Sequence, residues 1–441
     1  MKKIIVLIFA EILTVLLLGC SSIEKIEQPT ITGTVILDQD NTVGQTFVAR
    51  YDGLDGILFN FEPSPDTQGE ITLTLTPGPD EKEIIRKAIL ELPSNSLPGH
   101  YHIQFEPLNE STKEYYYSYL EFNGTGTIKV GHGNGDAYLN GAVYQNHSPM
   151  DAQATFNLSY DPTQVALGLL QEGLYWILWL LVGIFLYILP GWGLLGLLWP
   201  SWKDYHWSLK LGLSAGVSLA IYPILFLWTY IIGLNLGAFY AWLPPIAGLL
   251  LIIWNNRLNL HQRKSPFSMN LKPFPWAGFT LLVVIGLVFA VRFWVIRGLE
   301  APMWGDSYQH TMIAQLLVDN KGLFQSWEPY VPYQSLTVHF GFHTQLAVFM
   351  WLIGYNSLPS TLIVGQIING LAIITLFPLT YKLNRKNIWA GTGGLIIGGL
   401  ISQLPAFYVN WGRYAQLAGL VILPGASWMV VDLIDQKVHI I

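Results

Sequence analysis

The chain has 441 residues, 51% of them hydrophobic and 12% charged, with a formal net charge of -6. Soluble domains carry about 25% charged residues, so this balance, with a mean hydropathy of +0.39, excludes an ordinary soluble protein and predicts an α-helical polytopic membrane protein. The acidic excess offers no footing for a nucleic-acid partner, and the single cysteine, Cys20, excludes an intramolecular disulfide framework or a thiolate metal cluster.

Met1-Lys2-Lys3 precedes an apolar run from Ile4 to Leu18 and then Gly19-Cys20-Ser21-Ser22. Residues 1–22 therefore read as a signal peptide, a lipoprotein signal or a membrane anchor. Leu17-Leu18-Gly19-Cys20 resembles a bacterial lipobox, which makes Cys20 a candidate lipidation site, although Leu18 and Glu11 depart from the usual pattern. Either way the lysine pair stays inside and the next segment is exported.

Residues 30–160 have an all-β texture. Ile71–Leu75, Tyr101–Phe105 and Thr127–Val130 alternate, and Asp55-Gly56, Pro77-Gly78, Pro98-Gly99 and Asn134-Gly135 read as turns between strands. Several short strands at this spacing predict an N-terminal antiparallel sandwich of jelly-roll type on the extracytoplasmic side. Tyr115, Tyr116 and Tyr117 are expected either to be exposed for stacking on a sugar or to alternate between core and surface.

Residues 174–441 form a multi-span domain. Spans are expected at Leu174–Trp199, Ser208–Gly233, Leu236–Trp254, Trp276–Ile296, Leu358–Tyr381, Ile388–Leu404 and Tyr414–Val431, each near the ~20 residues that cross a bilayer. One set of connections carries Lys203, Lys210, Arg257, Arg263, Lys264, Lys272, Lys382, Arg385 and Lys386, which the positive-inside rule makes cytoplasmic. The β domain, the loop 300–343 and the turn Pro405–Arg413 are then external. Thr344–Tyr355 is apolar but short, and is expected to lie in or dip into the outer leaflet. The end at Ile440-Ile441, soon after a span, reads as an incomplete frame.

Chemistry concentrates on the external side. Pro302-Met303-Trp304-Gly305-Asp306-Ser307-Tyr308-Gln309-His310 sets an acid and a histidine four residues apart just beyond a span, where a charge is costly to keep without a use. A bland reading makes Asp306 the cap of a helix Ser307–Val318, completed by Gln309. Glu328, His339 and His343 follow in the same loop, and the last two are weak metal candidates by their spacing. Arg413, alone between two spans, is suited to a phosphate. Arg292 is a second candidate cation, and Trp304, Tyr308 and Trp411 offer stacking surfaces.

This layout resembles the GT-C class of integral membrane glycosyltransferases, which use polyprenyl-phosphate-linked sugars and carry an essential acid in an external loop. The resemblance covers roughly Trp276 to Val431 and puts Asp306 in the place of the family acid. It implies an inverting transfer in which Asp306 is the general base, His310 assists it, and Arg413 or Arg292 steadies the departing phosphate. Glu328 and the aromatics would help to hold substrate, and membrane lipids are further partners. The cofactor stays open, with a divalent metal among the options. The chain departs from the class in lacking a second acid beside Asp306 and an arginine in the span near Leu358, whose polar residues are Gln366 and Asn369. The alternative is a non-enzymatic, membrane-anchored carbohydrate-binding or scaffold protein.

Overall fold

The computed structural model describes residues 27–199, 201–260, 276–335 and 339–438. Cys20 and the leader lie outside the described residues. The chain divides into two compact units, Met1–Gly173 and Leu174–Ile441.

The first unit is a pair of antiparallel sheets built from β1 (Gly33–Leu37), β2 (Val43–Val48), β3 (Leu54–Pro63), β4 (Gln68–Thr76), β5 (Arg86–Leu92), β6 (Gly99–Leu108), β7 (Tyr115–Thr125), β8 (Ile128–Asn134), β9 (Val143–Gln145), β10 (Ser148–Pro149), β11 (Ala152–Ala154) and β12 (Phe156–Tyr160). One sheet runs β1-β8-β3-β12, with β6 on β3 and β11 on β8; the other runs β10-β9-β2-β7-β4-β5. Ile71, Leu73 and Leu75 of β4 enter one core with Phe47, Phe59, Phe61 and Phe156, as the alternating pattern demands.

One local expectation fails here, and one pair of alternatives is resolved. Asp55-Gly56 is not a turn but lies inside β3, at a register shift in its pairing with β6. A Cβ on Gly56 would come within 2.5 Å of His102 Nε2 and 2.9 Å of the Ile103 carbonyl, so close backbone approach is the reason for the glycine. Of the three tyrosines, only Tyr115 is exposed. Tyr116 enters the core, and Tyr117, on the other face of β7, is covered by Tyr144 and His147.

The second unit is helical. Its elements are α1 (Pro162–Tyr187, which begins in the first unit), α2 (Leu189–Leu198), α3 (Trp207–Ile231), α4 (Phe239–Leu260), α5 (Trp276–Ile296), α6 (Gly305–Asp319), α7 (Gly341–Ile353), α8 (Ser357–Ile374), α9 (Leu376–Leu383), α10 (Ile388–Ile396), α11 (Phe407–Asn410) and α12 (Tyr414–Val438). Asp161 caps α1 by accepting from the Thr163 and Gln164 amides. Among the described residues, five stretches are long and apolar enough to cross a membrane: Pro162–Leu198, Trp207–Ile231, Trp276–Ile296, Ser357–Leu383 and Tyr414–Asp435. Among the described residues, length and composition support five spans rather than the seven expected.

Leu236–Trp254 corresponds to α4, a continuous helix that carries Pro244-Pro245 inside it and lies outside that set. Ile388–Leu404 is cut short because α10 passes into a π turn at Ile397–Ile401. Its 14 residues reach only about 21 Å, against a hydrocarbon core of ~30 Å.

Burial sorts the spans. In Ser357–Leu383, 89% of the most apolar window is buried, against 39% in Trp276–Ile296, so the former is the central element and the latter presents a face outward. The α7 helix differs from expectation. It is buried from Phe342 through Met350 and packs against α3, α4, α6, α8 and α12, so protein covers its apolar surface all round. Thr344–Tyr355 thus contributes a helix to the core of the unit.

Candidate functional site

Asp306 does not cap its helix. α6 begins one residue earlier, at Gly305, after Trp304 in a left-handed conformation (φ 74°), and makes no side-chain cap bond there. Asp306 stands in the first helical turn, where the exposed amide dipoles favour a negative charge. The helix is fixed by the buried Ser307, whose hydroxyl donates to the Met303 carbonyl at 2.5 Å, and by Thr311, which bonds back to Tyr308 at 2.7 Å.

The turn before α12 reaches this helix start through Gly412. Its φ is +65°, and a Cβ there would lie 2.8 Å from the Ser307 amide nitrogen and 2.9 Å from Asp306 Cβ. Both the backbone angle and the close approach call for glycine. This contact carries the next residue to the acid: Arg413 Nη1 is 3.8 Å from Asp306 Oδ2. Their side chains are 57% and 48% exposed, so solvent leaves the pair only weakly attractive, and both groups have donors and acceptors to spare for a ligand. Two residues more than a hundred positions apart thus share one mouth.

Behind them, His310 faces inward. Its Nδ1 is 2.8 Å from His343 Nε2, and its ring meets Phe342 and Tyr414 edge-on, each with centroids 5.6 Å away. Phe342 and Tyr414 stack at 4.9 Å. His343 is fully buried, and its Nδ1 lies 3.2 Å from the His339 carbonyl. A carbonyl only accepts, so that nitrogen carries hydrogen. Burial lowers the His310 pKa; a backbone bond at Gly412 works against this, His339 adds to the lowering, and Asp306 again opposes it.

The remaining candidates separate clearly. Trp304 and Tyr308 flank Asp306 and are exposed; Trp411, two residues before Arg413, is exposed and edge-on to Phe407 at 4.7 Å. Arg292 is not at this mouth. It is buried on α5, where Nε donates to Asn369 Oδ1 at 2.9 Å and Nη2 to the Gly399 carbonyl at 3.0 Å. Asn369 in turn donates to the Pro405 and Ala406 carbonyls, so Arg292 braces the backbone that leads to Arg413.

Glu328 is exposed, and among the described residues no ion pair joins it to Arg413. His339 and His343 do not form a metal pair, since His343 Nε2 is engaged by His310. No group of three or more His, Cys, Asp or Glu suited to a metal occurs among the described residues. Phe342 and Tyr414, which shape the histidine pocket, were invisible as site residues, because an apolar side chain in an apolar helix carries no sequence signal.

No protein-family model matches the chain, and a search of curated proteins finds no match.

Proposed function

We propose that this membrane protein is an inverting glycosyltransferase of the GT-C kind, moving a sugar from a polyprenyl-phosphate donor to an acceptor hydroxyl on the extracytoplasmic face. The observation that carries the reading is the half-exposed carboxylate and guanidinium of Asp306 and Arg413, 3.8 Å apart, with Trp304, Tyr308 and Trp411 exposed on the same two segments. A transfer from a sugar phosphate needs a base for the acceptor and a cation for the leaving group, and these two side chains can touch one ligand together.

In the proposed reaction the acceptor oxygen attacks the anomeric carbon from the face opposite the phosphate. The new C–O bond forms as the sugar–phosphate C–O bond breaks, Asp306 takes the acceptor proton, and polyprenyl phosphate leaves with its charge met by Arg413. Arg413 has the fork geometry that phosphate oxygens favour. His310, held by His343 and the Gly412 backbone, fixes the floor beneath the base.

The sidedness follows from charge. Lys382 pairs with Asp432 and Asp435, and Tyr205 donates to Asp432, which gathers Lys203, Lys210 and Lys382 near one end of α12. Arg413 precedes the other end, about 27 Å away along the helix. The positive-inside rule supports a cytoplasmic lysine end and an external Asp306 mouth.

The test is to reconstitute the full chain in lipid with polyprenyl phosphates carrying radiolabelled sugars and to follow release of polyprenyl phosphate. Protein-dependent release with inversion at the anomeric carbon supports the reading. Release indistinguishable from protein-free vesicles across a panel of sugars and acceptors would remove it.

A further inference from the structure

The β unit holds a modification motif that the candidate site leaves unused. All four Asn-X-Ser/Thr motifs of the chain, at Asn109, Asn123, Asn146 and Asn157, fall in this unit. The helical unit has none, although it holds the larger number of asparagines. The motif is the acceptor for N-linked sugar on the surface of exported segments. An enzyme that modifies it must reach two groups at once, the asparagine amide and the hydroxyl two residues on. The fold decides which of the four motifs offers both.

Three of them do not. Asn109 is exposed, but its Ser111 is fully buried, with Oγ donating to the Tyr51 carbonyl at 2.8 Å and accepting from the Leu54 amide at 3.2 Å. Asn146 is exposed, but both halves of its amide are taken: Oδ1 accepts from the Thr42 amide at 2.8 Å, and Nδ2 donates to Asn41 Oδ1 at 3.0 Å. Asn157 is half-buried in β12, and the hydroxyl of its Ser159 donates to Asp55 Oδ1 at 2.7 Å.

Asn123 differs. On β7, Phe122 enters the core and Asn123, one residue on, is exposed on the opposite face. Its neighbour across the sheet is Glu70 of β4, also exposed, and pairing with β2 stops at Leu120, so no β2 residue lies beside it. Among the described residues, nothing bonds its side-chain amide. Gly124 adds no side chain between the two groups. Thr125 is exposed, and its hydroxyl meets only the Asp66 carbonyl at 3.2 Å, longer than a usual O–H···O bond.

We infer that Asn123 carries an N-linked glycan, installed by a separate transferase from a lipid-linked oligosaccharide diphosphate. In that step Asn123 Nδ2 attacks the anomeric carbon. The new N–C bond forms as the C–O bond to the lipid diphosphate breaks, the amide nitrogen gives up one proton to a base of the transferase, and the lipid diphosphate leaves. The inference rests on an external β unit and not on transfer at Asp306. Connectivity supports that side: the apolar stretch Pro162–Leu198 separates the β unit from Lys203, which belongs to the lysine end read as cytoplasmic.

The experiment is mass spectrometry of the full chain purified from its native membrane and digested with trypsin. Cleavage after Lys113 and Lys129 isolates residues 114–129, which contain Asn123 and none of the other three motifs. That peptide is expected to be heavier by whole sugar residues and to release sugar fragment ions on collision. Asn123→Gln is expected to remove the added mass, and Asn146→Gln to leave it in place. An unmodified peptide as the sole form, or sugar on another of the four asparagines with Asn123 bare, overturns the assignment. A parallel Asn123→Cys variant, treated on intact cells with a membrane-impermeant maleimide, separates the two grounds. Labelling of residues 114–129 where the wild-type peptide carries no sugar removes the glycan and keeps the external placement; no labelling removes both.

Discussion

Two arginines of the helical unit are held in opposite ways. Arg292 is 6% exposed and satisfied by protein groups: an asparagine on the central span and a carbonyl of the π turn. Arg413 is 57% exposed and, among the described residues, its side chain pairs with Asp306 through a long contact. The first arrangement stabilises the fold, because removing the cation would strand buried acceptors. The second contributes little to the fold, because water already solvates both partners. A charge pair that costs nothing to separate is free to serve a ligand, so exposure marks Asp306 and Arg413 as the working pair and burial marks Arg292 as a brace.

The largest effect that would sharpen this contrast is on chemistry. Asp306→Asn keeps the shape and removes the base, so turnover of a polyprenyl-phosphate sugar should fall by about 10³-fold, within the usual range for a lost general base, with membrane insertion unchanged. Full turnover at matched protein level would break the assignment.

Next in size is the brace. Arg292→Met should destabilise the helical unit by about 3 kcal/mol, the cost of leaving the Asn369 and Gly399 oxygens unmet, and thermal melting in detergent would show it. Arg413→Ala should shift the same melting curve by under ~0.5 kcal/mol. Similar losses in both variants would erase the distinction between the two arginines.

A third prediction concerns affinity. Arg413→Ala should weaken donor binding about tenfold and Arg413→Lys less, since a phosphate needs charge and prefers a fork. Isothermal titration with a non-hydrolysable donor analogue would rank the three proteins, and equal affinities would end the phosphate role.

The smallest effect is a pH slope. Burial lowers His310 below its ordinary 6.5, so the unfolded chain takes up the proton first as pH falls. Stability from this group is complete above pH 6.5 and is lost as pH drops beneath it. His310→Gln should flatten melting temperature against pH below 6.5; an unchanged slope would show that His310 contributes no such dependence.

Much of this was readable in the residues, and the failures have physical causes. The strands around Ile71, Ile103 and Ile128 were legible because a half-buried strand writes a period of two into the sequence. Asp55-Gly56 misled because a glycine demanded by close packing looks the same as one demanded by a turn. The apolar stretch at Ile388 was too generous because nothing in Ile397-Gly398-Gly399 announces a π turn. Asp306 stood out as an isolated acid in an apolar context, and Arg413 as an isolated base. Their proximity did not, since it depends on Gly412 packing against Ser307. His343 was visible only through its spacing to His339, whereas its partner is His310 on another helix. Pairings across helices are set by the fold as a whole, and no local pattern encodes them.

The most direct test of the central claim is a double-mutant cycle on Asp306 and Arg413, read in kcat/KM for sugar transfer and, in parallel, in melting temperature. If the two side chains are kept for one ligand, Asp306→Asn and Arg413→Ala should be non-additive in kcat/KM by about tenfold or more and additive in stability. Additive losses in rate together with coupling in stability would mean that the pair is a structural contact, and the proposed site would fall.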